Sequence, residues 1–279
     1  MLAENALYIV ATPVGNLGDM TPRAVDVLAA VDMVAAEDTR HSQRLFAHFE
    51  INTPLAAYHD HSGEGRVDWL LQKLHDGGSV ALISDAGTPL ISDPGYRIVR
   101  RAREQGIKVI PVPGACAFVA ALSAAGLPSD RFSFEGFLAA KPGTRRNQLE
   151  KLAADTRTLV FYEAPHRVAD TLAAMAEVFG AGREAVIARE LTKAFETIHF
   201  APLAELAAWV AADSNQQRGE IVLLVRGAPE PGDEGLDPES IRIMEILRQE
   251  LPVKQAAKLA SEITGVRKKT LYQWAIEKE

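Results

Sequence analysis

The feature that most constrains this chain is an apolar run that ends in a long irregular segment. Val80 to Ile83 is continuously apolar, which is typical of a strand buried on both faces. Regular structure is excluded from the following segment, Ser84 to Gly95, by Gly87, Pro89, Pro94 and Gly95. The backbone groups of this segment are therefore free to bind a ligand. Because open α/β sheets bind ligands at the carboxyl ends of their strands, we predict a binding loop here.

Similar loops follow three other apolar runs. They are Val10 to Asp19, Ala35 to Ser42, and Ile110 to Cys116. Glycine and proline commonly end strands without a functional reason, so one such loop alone decides little. Four loops with polar or Gly-Pro character predict one shared rim at the edge of a sheet.

The first part of the chain alternates strands with helices. The predicted strands are Leu7 to Ala11, Met33 to Ala36, Val80 to Ile83 and Lys108 to Val112. One predicted helix begins at Pro22, after the capping residue Thr21. Two others cover Arg66 to His75 and Ala115 to Gly126. This alternation predicts an α/β layer with a mainly parallel sheet.

The pattern changes after Leu127-Pro128-Ser129-Asp130, a plausible hinge. The predicted strands are Arg131 to Phe137, Thr158 to Tyr162, Ala185 to Leu191, Phe195 to Phe200 and Gly219 to Val225. The predicted helices are Thr144 to Ala153 and Pro165 to Phe179. Strands that follow one another without a helix between them indicate a mixed sheet. We therefore predict two α/β lobes with a cleft between them, over residues 1–126 and 127–227.

The remainder is predicted to be a linker and a small helical module. Gly227 to Gly235 is rich in Pro, Gly and acidic residues, so residues 228–238 are the predicted linker and 239–279 the module. Pro238, Pro252 and Gly265 mark helix ends in an arrangement that resembles a helix-turn-helix unit. The basic triplet Arg267, Lys268 and Lys269 favours nucleic-acid contact, and a packing or dimerisation module is the alternative.

Composition limits the class of protein. Of the 279 residues, 47% are hydrophobic, which is enough for two folded cores. The formal net charge of −7 argues mildly against a protein that coats nucleic acid nonspecifically. A single cysteine and the lack of a signal-peptide pattern predict a cytoplasmic protein. No apolar segment approaches bilayer-spanning length, so we expect no membrane insertion. A cluster of Lys141, Arg145 and Arg146 in a Gly-Pro loop indicates either an anionic partner or a solubilising surface.

Several common kinds of site have no motif here. The sequence contains neither G-x-G-x-x-G after the first strand nor a Walker sequence, and it has no Cys/His spacing for zinc. Cys116 has no neighbouring base, so it is more plausible as a wall residue than as a nucleophile. What remains is a site built from backbone groups, short side chains and a few charges.

Five motifs in fixed order are similar to those of one known family. They are Thr12 to Asp19, Glu37 to Arg40, Ser84 to Pro89, Phe161 to Arg167, and Ala188 to Lys193. Together they resemble the bacterial small-subunit ribosomal RNA cytidine 2′-O-methyltransferases, which belong to the tetrapyrrole methylase superfamily. The resemblance implies S-adenosylmethionine held between two lobes, a homodimer, and ribosomal RNA or the assembled small subunit as substrate.

The resemblance also implies a cofactor site. It points to Pro13, Asp85, Ala86, Gly87, Thr88, Ile91, Ala115, Cys116, Phe118, Tyr162, Leu191 and Ile221, with Glu163 and Glu220 beside them. Tetrapyrrole-modifying members usually carry Gly-Asp-Pro where this chain has Ser84-Asp85-Ala86. That departure favours the RNA-modifying branch.

Methyl transfer from a sulfonium needs no metal, but a ribose hydroxyl must lose its proton. The candidate proton acceptors are Asp38, Glu163, His166 and Glu190, and the candidate anion-binding residues are Arg40, Arg167, Arg189 and Lys193. Each has a structural alternative. These alternatives are a simple Asp38–Arg40 pair, a Glu163 cap on the helix at Pro165, and a Glu190–Lys193 bridge.

Two other functions remain open at this level. A methyltransferase acting on a tetrapyrrole or another small molecule would have an enclosed, mostly apolar substrate trough. A noncatalytic RNA-binding or ribosome assembly protein would bind no cofactor.

Overall fold

Parallel strands form the first sheet of the computed structural model, which describes residues 5–59, 63–229 and 236–277. The strands within those ranges are β1 (Ala6–Val10), β2 (Met33–Ala36), β3 (Leu55–Ala57), β4 (Val80–Ile83) and β5 (Lys108–Val112). They lie in the order β3-β2-β4-β1-β5, and each neighbouring pair is parallel. The predicted parallel α/β layer is confirmed.

Helices cover both faces of this sheet. They are α1 (Pro22–Ala30), α2 (Thr39–His48), α3 (Glu64–His75) and α4 (Tyr96–Glu104), followed by α5 (Ala117–Ala124). The core under α1 and α2 includes Val34 and Ile83, and the core under α3 and α4 includes Leu7 and Leu82. All four residues of β4 are at most 2% exposed. The predicted strand buried on both faces is therefore confirmed.

Local capping explains where the helices begin. Thr21 accepts the N–H of Ala24 at 3.2 Å, as predicted for the start of α1. The prediction of a loop over Ala35 to Ser42 is wrong, because α2 begins at Thr39. Asp38 caps that helix by accepting the N–H of Arg40 at 2.8 Å.

Other boundaries in the first lobe differ by one or two residues, and two elements were not predicted. The strand β1 lies one residue earlier than predicted, and α5 begins at Ala117 because Cys116 is extended. Neither β3 nor α4 was predicted from the sequence. The first is only three residues long, and the second follows a segment dominated by its Pro-Gly pattern.

The second sheet is mixed, as predicted. Its strands in the described ranges are β6 (Phe132–Phe137), β7 (Thr158–Glu163), β8 (Glu184–Arg189), β9 (Thr197–Pro202) and β10 (Ile221–Val225). They lie in the order β6-β7-β10-β8-β9; β6 and β7 are parallel and the other pairs antiparallel. The accompanying helices are α6 (Pro142–Leu152), α7 (Val168–Phe179) and α8 (Leu203–Ala212).

The helix α5 follows a strand of the first sheet but packs on the second. Ala121 and Ala125 share a core with Val160 of β7, Val186 of β8 and Val222 of β10. Its partly buried neighbours Phe118 and Tyr162 extend the same cluster. The helix α5 thus packs in the core of the second lobe, although its sequence lies within the predicted first lobe.

Three predictions for the second lobe need correction. The strand β8 ends at Arg189 instead of Leu191, because Glu190 adopts a left-handed φ of 51°. The next strand starts at Thr197, two residues later than predicted. The helix α6 starts at Pro142, two residues before the predicted start at Thr144; Arg145 and Arg146 lie in this helix, and their assignment to a Gly-Pro loop is wrong.

The basic cluster at the start of α6 is also less available than the sequence suggested. The Arg145 residue is only 5% exposed. Arg146 pairs with Glu150 and Glu177, with nitrogen–oxygen distances of 3.0 Å in each case. These two arginines therefore do not form an open anion-binding surface.

The chain separates into two compact units, Met1–Lys151 with Thr158–Arg226, and Leu152–Arg157 with Gly227–Glu279. The second unit contains α9 (Pro238–Glu250), α10 (Val253–Thr264) and α11 (Lys268–Glu277). Their core includes Met244, Ala256, Ala260 and Leu271, and Gly265 ends α10 in the left-handed conformation. Residues 230–235 of the predicted linker lie outside the described residues. In the described part of the chain, no helix is both long and apolar enough to cross a bilayer.

We expect Gly95→Ala to destabilise the first lobe by about 1–3 kcal/mol, because a Cβ there has no room. Gly95 precedes α4 with a φ of +140°, and an added Cβ would lie 2.8 Å from Leu82 Cδ2. Urea unfolding measures the change. The control is Gly143→Ala, where nothing lies within 4 Å of an added Cβ. Equal stability of the two variants would contradict this account.

Candidate active site

A cavity of about 470 Å³ lies between the loops of the first sheet and the second sheet. Such a volume is within the range of roughly 300–1,000 Å³ that small-ligand sites occupy. The first sheet contributes Asp85 to Thr88, Ile91 to Asp93, Val14 and Glu37. The second lobe contributes Phe137, Tyr162 to Pro165, Leu191 and Gly219 to Val222. Cys116 and Ala117, at the start of α5, complete the wall.

Hydrogen bonds join the four strand-end loops into one rim, as predicted. Thr12 and Gly87 exchange two backbone hydrogen bonds, with N···O distances of 2.9 and 3.0 Å. The Asp85 carboxylate accepts the N–H of Asp38 at 3.0 Å, which adds the loop after β2. The hydroxyl of Thr88 donates to the carbonyl of Ala115 at 3.0 Å, which adds the loop after β5. The loop after β4 therefore holds the other three in place.

The same loop reaches the second lobe through a strained segment. Leu90 and Ser92 have left-handed φ values of 74° and 61°, which non-glycine residues rarely adopt. An added Cβ on Gly136 of β6 would lie 3.4 Å from Ser92 Oγ. The loop after β4 therefore approaches β6 of the second lobe at Gly136.

Most of the predicted cofactor residues line the cavity. These are Asp85, Ala86, Gly87, Thr88, Ile91, Cys116, Tyr162, Leu191 and Ile221. The other three lie next to lining residues: Pro13 precedes Val14, Ala115 precedes Cys116, and Phe118 contacts Tyr162. The amide of Phe118 donates to the Tyr162 hydroxyl at 3.2 Å.

Tyr162 occupies an aromatic corner of the cavity. Its ring meets Phe134 and Phe137 edge-on, at centroid distances of 4.9 and 5.6 Å. Burial raises the pKa of Tyr162 well above its ordinary value. The hydroxyl therefore stays protonated near neutral pH and is able to donate a hydrogen bond into the cavity.

Glu163 lines the cavity but is held on both carboxylate oxygens. Arg167 donates to it at 2.6 Å, Thr171 at 2.6 Å, and the amide of Ala164 at 2.7 Å. These bonds tie the end of β7 to the start of α7. Among the residues predicted as catalytic, Glu163 is the one that the described cavity wall includes.

Glu190 and Lys193 pair with each other beside the cavity. The Lys193 ammonium lies 2.8 Å from Glu190 Oε1 and 2.9 Å from Glu220 Oε2. Burial raises the pKa of Glu190, but the bonds from Lys193 and the Glu220 amide outweigh it and hold that pKa below its ordinary value. The Lys193 stem covers Gly15, where an added Cβ would lie 2.5 Å from Lys193 Cγ. This ion pair therefore closes the second lobe against the loop after β1.

The remaining catalytic candidates lie outside the cavity wall. Asp38 pairs with Arg40 at 3.2 Å on an exposed surface, and this bond lowers the pKa of Asp38. His166 is exposed. The Arg189 guanidinium is buried and donates to the carbonyl of Phe195 and the hydroxyl of Thr197, at 3.1 and 3.2 Å.

Asp93 and Phe137 are two of the lining residues that were not among the predicted site residues. Asp93 lies inside the predicted binding loop, within a Ser-Asp-Pro-Gly turn that already marked a polar strand end. Phe137 is 54% exposed at the cavity wall, and no local sequence pattern distinguishes it from a core aromatic residue. The cavity thus combines carboxylates, free backbone groups and apolar side chains, which suits a cationic ligand with apolar parts.

The sequence matches two family models that together span most of the chain. Residues 6–207 match the Tetrapyrrole (Corrin/Porphyrin) Methylases, and residues 234–279 match the RsmI C-terminal HTH domain.

Curated relatives match over the full length of the chain. The Pseudomonas aeruginosa protein named "Ribosomal RNA small subunit methyltransferase I" is 59% identical, with 100% of this chain and 99% of that protein covered. The Escherichia coli O157:H7 protein of the same name is 53% identical, with coverage of 99% and 96%.

Solved structures share the fold at low sequence identity. A cobalt precorrin-4 methyltransferase has a TM-score of 0.60 at 18% identity, covering 80% of this chain and 95% of that one. A diphthine synthase has a TM-score of 0.59 at 14% identity, covering 79% and 90%. With two family models and full-length relatives in agreement, the chain belongs to the ribosomal RNA small subunit methyltransferase I family, within the tetrapyrrole methylases.

Proposed function

We propose that this protein transfers a methyl group from S-adenosylmethionine to the 2′-hydroxyl of a cytidine in small-subunit ribosomal RNA. The observation that carries the proposal is the full-length match to relatives named for that RNA, at 59% identity for the Pseudomonas aeruginosa protein. The cobalt precorrin-4 methyltransferase structure covers only 80% of this chain. The HTH domain model matches residues 234–279, at the C-terminal end. A methyltransferase for small tetrapyrroles gives that domain no role.

The cavity residues suit S-adenosylmethionine, the methyl donor of this family. When bound, it supplies an activated methyl group and a neutral thioether leaving group. Asp85 and Glu37 would attract its positive charge, and Tyr162 would donate a hydrogen bond to its polar atoms. Val14, Ile91 and Leu191 would contact its apolar parts. The protein's own contribution is binding and orientation in a site closed by two lobes.

RNA recognition would begin at the cavity edge. Proteins bind unpaired RNA bases by stacking them on aromatic side chains. Phe137 offers a half-exposed ring there, braced from behind by Tyr162. We assign this ring to the target base.

The helical module would add further RNA contacts. Its helix α11 begins at Lys268, so Lys268 and Lys269 lie at a helix N-terminus, where phosphate is favoured. We also propose that the protein acts in the bacterial cytoplasm, because a ribosomal RNA substrate is found there.

The fold offers a surface for the expected homodimer. Ile198 and Phe200 of the edge strand β9 pair with Ala188 and Val186 of β8, and so share the sheet face that α5 covers. The helix α5 contacts β7 and β10, which leaves Ile198 39% and Phe200 47% exposed. A second copy of the chain would bury these side chains.

We expect the wild-type protein to bind S-adenosylmethionine and to methylate small ribosomal subunits or their free RNA. Asp85→Asn should weaken cofactor binding by about 10–100-fold, because a charged interaction is lost while the amide oxygen still accepts the Asp38 N–H. Calorimetry measures the binding, and transfer of labelled methyl with nucleotide mapping measures the reaction. The control is Asp26→Asn, an equal charge change on the exposed side of α1.

Three results would contradict the proposal. Absence of cofactor binding by the wild type would favour the noncatalytic RNA-binding or assembly function. Cofactor binding without transfer to either RNA substrate would favour the small-molecule methyltransferase. A product mapped to a base atom would contradict the 2′-hydroxyl as acceptor.

Phe137→Ala should raise the KM for RNA by about 5–100-fold, because stacking on an aromatic ring contributes roughly 1–3 kcal/mol per base. The affinity for S-adenosylmethionine should stay within about threefold by calorimetry. Phe137→Trp keeps a stacking surface and should retain most of the RNA affinity. An equal loss of cofactor affinity in Phe137→Ala would show that the ring supports the cofactor instead.

Phe200→Asp should convert a dimer into a monomer, since a charge would enter an apolar interface. Sedimentation velocity measures the mass. Trp69→Asp, at a comparably exposed aromatic residue on α3, is the control and should remain dimeric. A monomeric wild type, or a dimeric Phe200→Asp variant, would contradict this interface.

A further inference from the structure

The acidic side chains of the cavity wall differ in how they are engaged. Glu163 is bound by Arg167, and Glu220 pairs with Lys193. Asp85 accepts the N–H of Asp38, and Glu37 likewise interacts with neighbouring groups. Asp93 faces the Ser84 hydroxyl and the Asp85 carboxylate, and it forms no ion pair with any residue in the described ranges. The Asp93 carboxylate therefore has no positively charged partner within those ranges.

The position of Asp93 is fixed by the strained part of the binding loop. It directly follows Ser92, which has a left-handed φ of 61° and packs on Gly136 of β6. Strained non-glycine residues cost roughly 1–3 kcal/mol each and concentrate at functional sites. Phe137 comes directly after Gly136 and lines the same cavity as Asp93. The carboxylate and the proposed stacking ring therefore share one side of the cavity.

Burial raises the pKa of Asp93 to about 6, and the negative charge of Asp85 adds to the effect. The hydrogen bond from Ser84 acts in the opposite direction. The other titratable groups lining the cavity are Glu37 after β2, Cys116 before α5, Tyr162 and Glu163 in β7, and Glu220 before β10. A carboxylate with this pKa is mostly ionised at neutral pH and is still basic enough to take a proton, which is the balance that general-base catalysis requires.

We propose that Asp93 is the catalytic residue that accepts the proton of the RNA 2′-hydroxyl. The inference rests on the proposed function. As the hydroxyl oxygen forms its bond to the methyl carbon, the O–H bond breaks and its proton moves to a carboxylate oxygen of Asp93. The carbon–sulfur bond breaks with its electron pair remaining on sulfur, which becomes a neutral thioether. Asp93 then releases the proton to water.

Asp93→Asn tests the assignment because it keeps the shape of the side chain and removes its basicity. At saturating S-adenosylmethionine, we expect kcat to fall by about 10²–10⁴-fold, the usual contribution of a general base. The dissociation constant of S-adenosylmethionine should stay within about threefold by calorimetry. Asp85→Asn, at the neighbouring carboxylate, should show the reverse pattern of weaker cofactor binding.

The pH dependence gives a second readout. The wild-type kcat should fall about tenfold per pH unit below pH 6, and Asp93→Asn should lose this limb. Ser84→Ala removes a bond that favours the ionised form of Asp93, so it should move the limb to higher pH. Carboxyl ¹³C NMR of the cofactor-free protein should give a midpoint near 6 for Asp93 and a lower one in Asp85→Asn, independently of activity.

The results separate this inference from the proposed function. A wild type that methylates RNA and an equally active Asp93→Asn variant overturn this inference alone. Loss of cofactor affinity in Asp93→Asn with normal kcat at saturation also overturns it, because Asp93 would then be a cofactor ligand. A wild type that binds cofactor but methylates neither subunits nor free RNA overturns the proposed function and this inference together.

Discussion

The two backbone hydrogen bonds between Thr12 and Gly87 are the constraint on which the site depends. They join the loops after two adjacent parallel strands, and Gly87 makes them possible because its φ of +84° is rarely open to other residues. The loops after β2 and β5 attach to the same segment through Asp85 and Thr88. Backbone hydrogen bonds thereby join two of the loops, the side chains of Asp85 and Thr88 attach the other two, and the carboxylates and aromatic rings of the cavity lie on this frame.

Closure of the site depends on charge as well as on shape. The aliphatic stem of Lys193 packs over Gly15. Its ammonium forms ion pairs with Glu190 and Glu220. Glu163 is satisfied in the same way by Arg167. Among the described residues, this pairing leaves Asp85 and Asp93 at the cavity without ion pairs, and the proposed function assigns them to the cationic cofactor and to the hydroxyl proton.

Local signals in the sequence were enough for much of the fold. The apolar run Val80 to Ile83 and the Thr21 cap each depend on neighbours within a few residues, and both predictions are confirmed. The unpredicted strand β3 is three residues long and takes its stability from pairing with β2, which no local pattern records. At the site, the binding loop was predictable from its strand. The place of Asp93 depends on the left-handed residues Leu90 and Ser92 and on the approach of Ser92 to Gly136 of β6, so only the folded chain brings Asp93 and Phe137 to the same cavity.

The crossing of α5 from one sheet to the other has an evolutionary consequence. A chain cut in the loop after α5 would leave the second sheet without Ala121 and Ala125, which cover Val160 and Val222. A cut between the end of β5 at Val112 and Cys116 would separate Cys116 from that strand. Neither half would therefore fold as an independent domain. We expect evolution to keep the two lobes together and to vary the appended helices.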